Sequence, residues 1–122
     1  MVFRVLDATA FYAGIPFASN DSFMTTSMVY EEIQHIKTKQ GVLEMLQQTN
    51  RLQIRDPIEE SIISVTDTAI KTGDNSTISK QDVSIIALAL ENDLELITDD
   101  FAVTNVAKQL KIKTSSLMTE GI

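Results

Sequence analysis

Ser79-Lys80-Gln81-Asp82-Val83-Ser84-Ile85-Ile86-Ala87-Leu88-Ala89-Leu90, with Leu94-Glu95-Leu96-Ile97-Thr98-Asp99-Asp100 close behind it, decides the fold. The helix begun at Ser79 is apolar nearly all round from Ile85 to Leu90, which predicts deep burial. Leu94 to Thr98 reads as a strand, and Val103, Val106, Ala107 and Leu110 then define the last helix. Alternation of helical and short β-type runs predicts an α/β domain with a largely parallel sheet.

The rest of the chain repeats that alternation. Phe3 to Leu6 reads as a short apolar strand ending at Asp7, and Ala8 to Ala13 as a helix. Gly14, Pro16 and Ser19-Asn20-Asp21-Ser22 predict a loop, and Phe23 to Thr25 a short strand. Ser27 can cap a helix whose Val29, Ile33 and Ile36 share one face. Gly41 breaks that pattern before a helical piece over Val42 to Gln48. Leu52 to Arg55 is the next strand, stopped by Asp56-Pro57. Ile58, Ile62, Val65 and Ala69 mark an amphipathic helix running to about Lys71, with Thr72-Gly73-Asp74-Asn75-Ser76 as a loop. Ile112 to Thr114 reads as a final strand.

At 122 residues the chain is read as a single domain over 1–122, long enough to bury a core. With 43% hydrophobic and 22% charged residues, it has ordinary globular composition. Cysteine is absent, which excludes disulfides, thiol nucleophiles and a zinc ribbon. The lone His35 excludes a site built on two imidazoles. Hydrolytic chemistry would therefore run on carboxylates and metal. Arg4 and Asp7 interrupt the N-terminal apolar run, so no signal peptide is read there, and no run approaches a membrane span. A cytoplasmic location is the expectation.

The formal charge of −7 argues against a protein that coats DNA without regard to sequence. It leaves a nuclease open, because carboxylates that hold metals add to the negative count. Lys37 with Lys39, and Lys108, Lys111 and Lys113, are the cationic clusters on offer. Each can equally be a solvated helix end.

Acidic residues stand at strand ends and helix starts: Asp7, Glu32, Asp82, Asp99 and Asp100. If the fold gathers Asp7, Glu32, Asp82 and Asp100, they form an oxygen-only pocket whose natural occupants are hard divalent ions such as Mg²⁺ or Mn²⁺. Each also has a plainer explanation. Asp7 can cap the helix that follows it. Asp82, three residues after Ser79, can complete a capping box. Asp99 and Asp100 suit the positive end of a helix dipole, although two adjacent aspartates exceed what capping requires. Glu32 lies three residues after Val29, beside the apolar stripe, whereas Glu31 turns toward solvent.

In order and local context these acids resemble the PIN-domain nucleases, in which an Asp follows the first strand and a Glu precedes Ile or Leu in the second helix. A further Asp opens a buried helix, and Thr-x-Asp follows a later strand. Within that family the chain is most similar to the Nob-type endonucleases of archaeal and eukaryotic small-subunit ribosome assembly. The phrases Leu6-Asp7-Ala8-Thr9-Ala10-Phe11, Thr25-Thr26-Ser27-Met28-Val29-Tyr30-Glu31-Glu32-Ile33, Thr72-Gly73-Asp74 and Ile97-Thr98-Asp99-Asp100-Phe101-Ala102 carry the likeness.

The resemblance implies a three-layer fold with a central, mostly parallel sheet of about four to five strands flanked by helices. It implies Mg²⁺- or Mn²⁺-dependent cleavage of RNA near the 3′ end of precursor small-subunit rRNA, with pre-ribosomal particles as partners and a homodimer as a further possibility. Asp7, Asp82 and Asp100 are expected to ligate metal, Glu32 directly or through water, and Asp99 to hold a second ion or orient the others. Thr9 and Thr98 are expected to steady the ligands or touch phosphate, and Asn105 to brace the site. Nob-type proteins carry a zinc ribbon after this domain, whereas this sequence has no cysteine and stops at Gly121-Ile122. Two other readings share the same acids: a toxin-type ribonuclease of the VapC kind, held by an antitoxin, and an inert PIN-like binding module.

Overall fold

A computed structural model describes residues 2–35 and 40–117. Five strands, β1 (Phe3–Leu6), β2 (Ser22–Thr25), β3 (Leu52–Ile54), β4 (Glu95–Ile97) and β5 (Thr114–Ser115), form one sheet in the order β3-β2-β1-β4-β5. Every pairing is parallel, with Val5 opposite Met24 on one side and Leu96 on the other. The helices are α1 (Ala8–Tyr12), α2 (Ile15–Ala18), α3 (Ser27–Ile33), α4 (Gln40–Gln48), α5 (Glu59–Thr72), α6 (Lys80–Asn92) and α7 (Phe101–Gln109). The expected α/β class, a parallel sheet flanked by helices, is therefore the observed one.

The strand order fixes where a site can form. From β1 the chain steps outward through β2 to β3, then returns across the sheet to place β4 on the other side of β1. The carboxyl ends of β1 and β4 thus border the crevice where the winding direction changes, the usual ligand position in open α/β sheets.

Helix α6 anchors the core. Ile85, Ile86, Ala87, Leu88 and Ala89 are all fully buried, because α6 packs on α3, α5 and α7 and on β1 and β4. With neighbours all round, an apolar stripe on one face would not suffice. Each buried Ile or Leu contributes about 1.5–3 kcal/mol. Gly73, at φ 81°, closes α5 in the left-handed conformation and starts the turn toward α6.

Several local expectations change. The loop predicted around Pro16 contains α2, and Pro16 sits in its first turn, where a missing N–H costs nothing. Thr26, not Ser27, caps α3. Ser27 is engaged instead by Asp56, whose carboxylate accepts from its amide and its hydroxyl at 2.8–2.9 Å. Gly41 lies within α4, near its start, where a poor helix former costs least. On α5 the buried face is Ser61, Val65 and Ala69, while Ile58 and Ile62 are 56% and 36% exposed. Ile112 precedes β5 instead of belonging to it. Ile36, Lys37 and Lys39 lie outside the described residues. No described helix is long and apolar enough to cross a membrane.

Candidate active site

Asp7 follows the last residue of β1 and is the N-cap of α1, its side chain accepting the Ala10 amide at 2.9 Å. The other carboxylate oxygen accepts the Thr98 hydroxyl at 3.1 Å, from the end of β4. Thr98 thereby ties the two strand ends at the switch point. Its oxygen also accepts the Asp100 amide at 3.1 Å. Asp100 caps α7 through Val103 N–H at 3.0 Å. One buried hydroxyl therefore sets the positions of two acids.

Asp82 enters from α6. Ser79 and Asp82 form the reciprocal capping box that their spacing predicts, both bonds at 3.0 Å. Glu32 enters from α3, exposed but held at both oxygens, by Tyr12 OH at 3.1 Å and by Gln81 Nε2 at 3.1 Å. Gln81 is the neighbour of Asp82, so the Glu32 carboxylate is joined to the start of α6. Partial burial first, then the hydrogen bond and charge of Glu32, hold the Tyr12 phenol above its ordinary value, so it stays a donor.

Asp7 shows how these groups sense one another. Burial raises its carboxyl above the ordinary aspartate value. The Ala10 and Thr98 hydrogen bonds pull it back, and the charges of Asp82 and Asp100 push it up again. Asp7 and Asp100 cap α1 and α7, and Asp82 completes the capping box of Ser79 on α6. Among the described residues, no three acidic or imidazole side chains are already close enough to hold a metal ion. The capping bonds each engage one carboxylate oxygen of Asp7, Asp82 and Asp100. One oxygen of Asp82 and one of Asp100 stay outside those bonds. The oxygen-only donor chemistry fits a hard divalent cation, whose charge would relieve the repulsion at Asp7.

The remaining candidates divide. One oxygen of Asp99 accepts Ser116 Oγ at 2.7 Å and Leu117 N at 3.1 Å, holding the segment after β5. Thr9 is exposed in the first turn of α1, beside Asp7. Asn105 donates to Asp74 Oδ2 at 2.9 Å, linking α7 to the loop that leads into α6. Asp74 stands in the Thr72-Gly73-Asp74 phrase, but its role as the acceptor for Asn105 carried no sequence signal. Hydrogen bonds from Thr72 and then Asn105 hold its carboxyl below the ordinary value. Tyr12 and Gln81 were likewise missed, because contacts across 20 and 49 residues leave no local spacing to read.

Lys80 opens α6, exposed, two residues before Asp82, whereas the described lysines of the clusters read from the sequence lie elsewhere. Lys108 is near the C-terminus of α7, about 12 Å along the helix from Asp100 at 1.5 Å per residue. Lys113 pairs with Glu95 at 3.4 Å. An apolar cavity of about 400 Å³ opens between α3, α5 and α6, lined by Met28, Ile62, Ile78 and Val83 among others, and none of the five acids lines it.

A family model described as the PIN domain of ribonuclease matches residues 4–91. Endoribonuclease Nob1 of Methanocaldococcus jannaschii is 37% identical over 121 residues, covering 98% of this chain and 59% of that protein. The chain thus spans less than two thirds of that relative. Ribonuclease VapC3 of Aeropyrum pernix is 29% identical over 122 residues, covering 96% of this chain and 87% of that protein. Among solved structures, that of PAE2754 from Pyrobaculum aerophilum superposes with a TM-score of 0.62 at 18% identity, covering 97% of this chain and 91% of that one.

Proposed function

This chain belongs to the PIN-domain ribonuclease family, and from that premise we propose that it is a metal-dependent endoribonuclease acting in 3′-end maturation of precursor small-subunit rRNA. The observation that carries the chemistry is geometric: at the paired ends of β1 and β4, the Thr98 hydroxyl donates to Asp7 and accepts the Asp100 amide, which holds two acids at the switch-point crevice. The likeness to a Nob1 endoribonuclease over nearly the whole chain supports the substrate class. Asp7, Asp82 and Asp100 are the proposed ligands of Mg²⁺ or Mn²⁺, with Glu32 ligating directly or through water.

A divalent cation bound there would polarise the phosphodiester and stabilise negative charge on the leaving oxygen. The protein's own groups do the positioning. Thr98 fixes Asp7 and Asp100 together, and the capping box fixes Asp82. Glu32, held by Tyr12 and Gln81, orients the water that attacks in line and can take its proton. The N-termini of α6 and α7 lend positive potential to a site otherwise lined with carboxylates. Asp99 contributes by holding the segment after β5 rather than by binding the first ion.

The test is Mn²⁺-dependent cleavage of RNA spanning the precursor 3′ end, beside a scrambled RNA of equal length. Discrete cuts confined to the precursor support the reading, and equal cleavage of both removes the ribosomal assignment. A second reading, a toxin-type ribonuclease, is favoured by the near-complete coverage of VapC3. It predicts growth arrest on expression, relieved by a co-expressed neighbouring gene product.

A further inference from the structure

Among the described residues, two aromatic side chains are more than half exposed, Tyr12 at 57% and Phe101 at 85%. Both are joined to the acids. The Tyr12 hydroxyl is bonded to Glu32, and Phe101 is the residue after Asp100, first in α7. The other described aromatics, Phe3, Phe11, Phe17, Phe23 and Tyr30, lie in the core or pack against it. Scattered exposed apolar residues are ordinary. An aromatic pair confined to the acids is not scattered.

The backbone at the start of α7, which carries Phe101, is held at Asp100. Asp100 caps α7 through Val103, its amide donates to Thr98, and its carbonyl accepts Thr104 N–H at 3.0 Å. The turn that aims the Asp100 carboxylate therefore carries an exposed ring beside it. Few cations share the grip on a polyanion here: net charge is −7, and on α6 and α7 the lysines are Lys80, two residues before Asp82, and Lys108, at the far end of α7. Besides Lys80, the surface next to Asp100 offers RNA a π-face, and every base has one.

Resting on the nuclease reading above, we propose that Phe101 is a base-stacking residue: it receives an unpaired nucleobase next to the scissile phosphate and so selects single-stranded RNA. Tyr12 is anchored to Glu32 by its hydroxyl and is the less exposed of the two rings, so the assignment falls on Phe101. Stacking of this kind makes binding roughly 5- to 150-fold tighter per base.

The experiment measures binding of a fluorescein-labelled single-stranded RNA by anisotropy, with Asp82→Asn as a slow-cleaving background. Phe101→Ala and Phe101→Trp are added to that background, with melting temperature and mass by light scattering recorded for each. We expect Ala to weaken binding by at least fivefold, Trp to restore it, and a blunt RNA duplex to be indifferent to both changes. Equal binding by all three proteins overturns the proposal and leaves the nuclease reading intact, as Asp82-dependent cleavage by the otherwise unchanged protein would show. Loss in both Ala and Trp variants, or a change of mass with Ala, makes Phe101 a packing or subunit contact and also overturns it. Absence of RNA binding in every protein removes the proposal together with the RNA reading.

Discussion

Replacing Asp7 by Asn should stabilise the protein in chelator while abolishing its response to divalent cations. Asn caps a helix as well as Asp does and has nearly its volume, so the Ala10 bond survives. Neutralising the acceptor weakens the Ala10 bond, and the Asn amide nitrogen must donate to Thr98 Oγ1 where the carboxylate accepted from it, each change costing about 1 kcal/mol. Against that loss stands the cost of burying an ion near two like charges, which amounts to several kcal/mol. The raised Asp7 carboxyl shows that burial and repulsion outweigh the two hydrogen bonds. The net gain is on the order of 1 kcal/mol, or about 3–5 °C in Tm for a chain of this size.

The sign has a pH signature. A carboxyl raised in the folded state keeps its proton there to higher pH than in the unfolded chain. Wild-type stability therefore falls as pH rises from the ordinary aspartate range through the folded value, and the Asp7→Asn change removes that slope. The Tm difference should be open at pH 7 and close below about pH 4. A cation at 100 times its dissociation constant adds about 2.7 kcal/mol to wild type, roughly 8–13 °C, and far less to the variant. Thermal melts in EDTA, Mg²⁺ and Mn²⁺ read all of this. A lower Tm for the variant in EDTA at pH 7, or equal cation shifts in both proteins, would refute the reasoning.

Other consequences are quickly checked. Ser79→Ala breaks the capping box and should cost about 0.5–2 kcal/mol, visible as a lower Tm, with catalysis falling further because Asp82 loses its orientation. Leu88→Ala, at a fully buried position on α6, should cost about 2–5 kcal/mol in denaturant melts. Asn105→Ala removes a donor to Asp74. Because the Asp74 carboxyl is held below its ordinary value, that stabilisation is present at neutral pH and fades as pH falls through the folded value. The Tm gap between wild type and variant should accordingly close in acid.

What the sequence made legible follows from the range of the interactions involved. The unbroken apolar run Ile85 to Leu90 announced α6, and Ser79 with Asp82 announced its cap, since both signals lie within a few residues. The acids at strand ends were legible for the same reason. Parallel pairing was inferred from alternation alone, but strand order was not, because β1 meets β4 across about 90 residues and no local signal encodes the crossover. Thr26 displaced Ser27 as the cap because Asp56, distant in sequence, engages Ser27. On α5, Val65 and Ala69 are buried as read, with Ser61 in place of Ile58 and Ile62, which stay partly exposed. At the site, hydroxyls and amides from remote elements orient the acids. Thr98 was anticipated as a supporting hydroxyl, but its double attachment to Asp7 and Asp100 emerges only when β1 and β4 pair.

The measurement that bears most directly on the central claim is cleavage of precursor small-subunit 3′-end RNA in Mn²⁺ by wild type and by Asp7→Asn, Asp82→Asn and Asp100→Asn. All four proteins should first be shown folded by their melting curves. Discrete cuts by wild type, abolished by EDTA and reduced at least a hundredfold in each variant, are the predicted result. Undiminished cleavage by the three variants would mean that these acids only cap helices, and the catalytic assignment would fall.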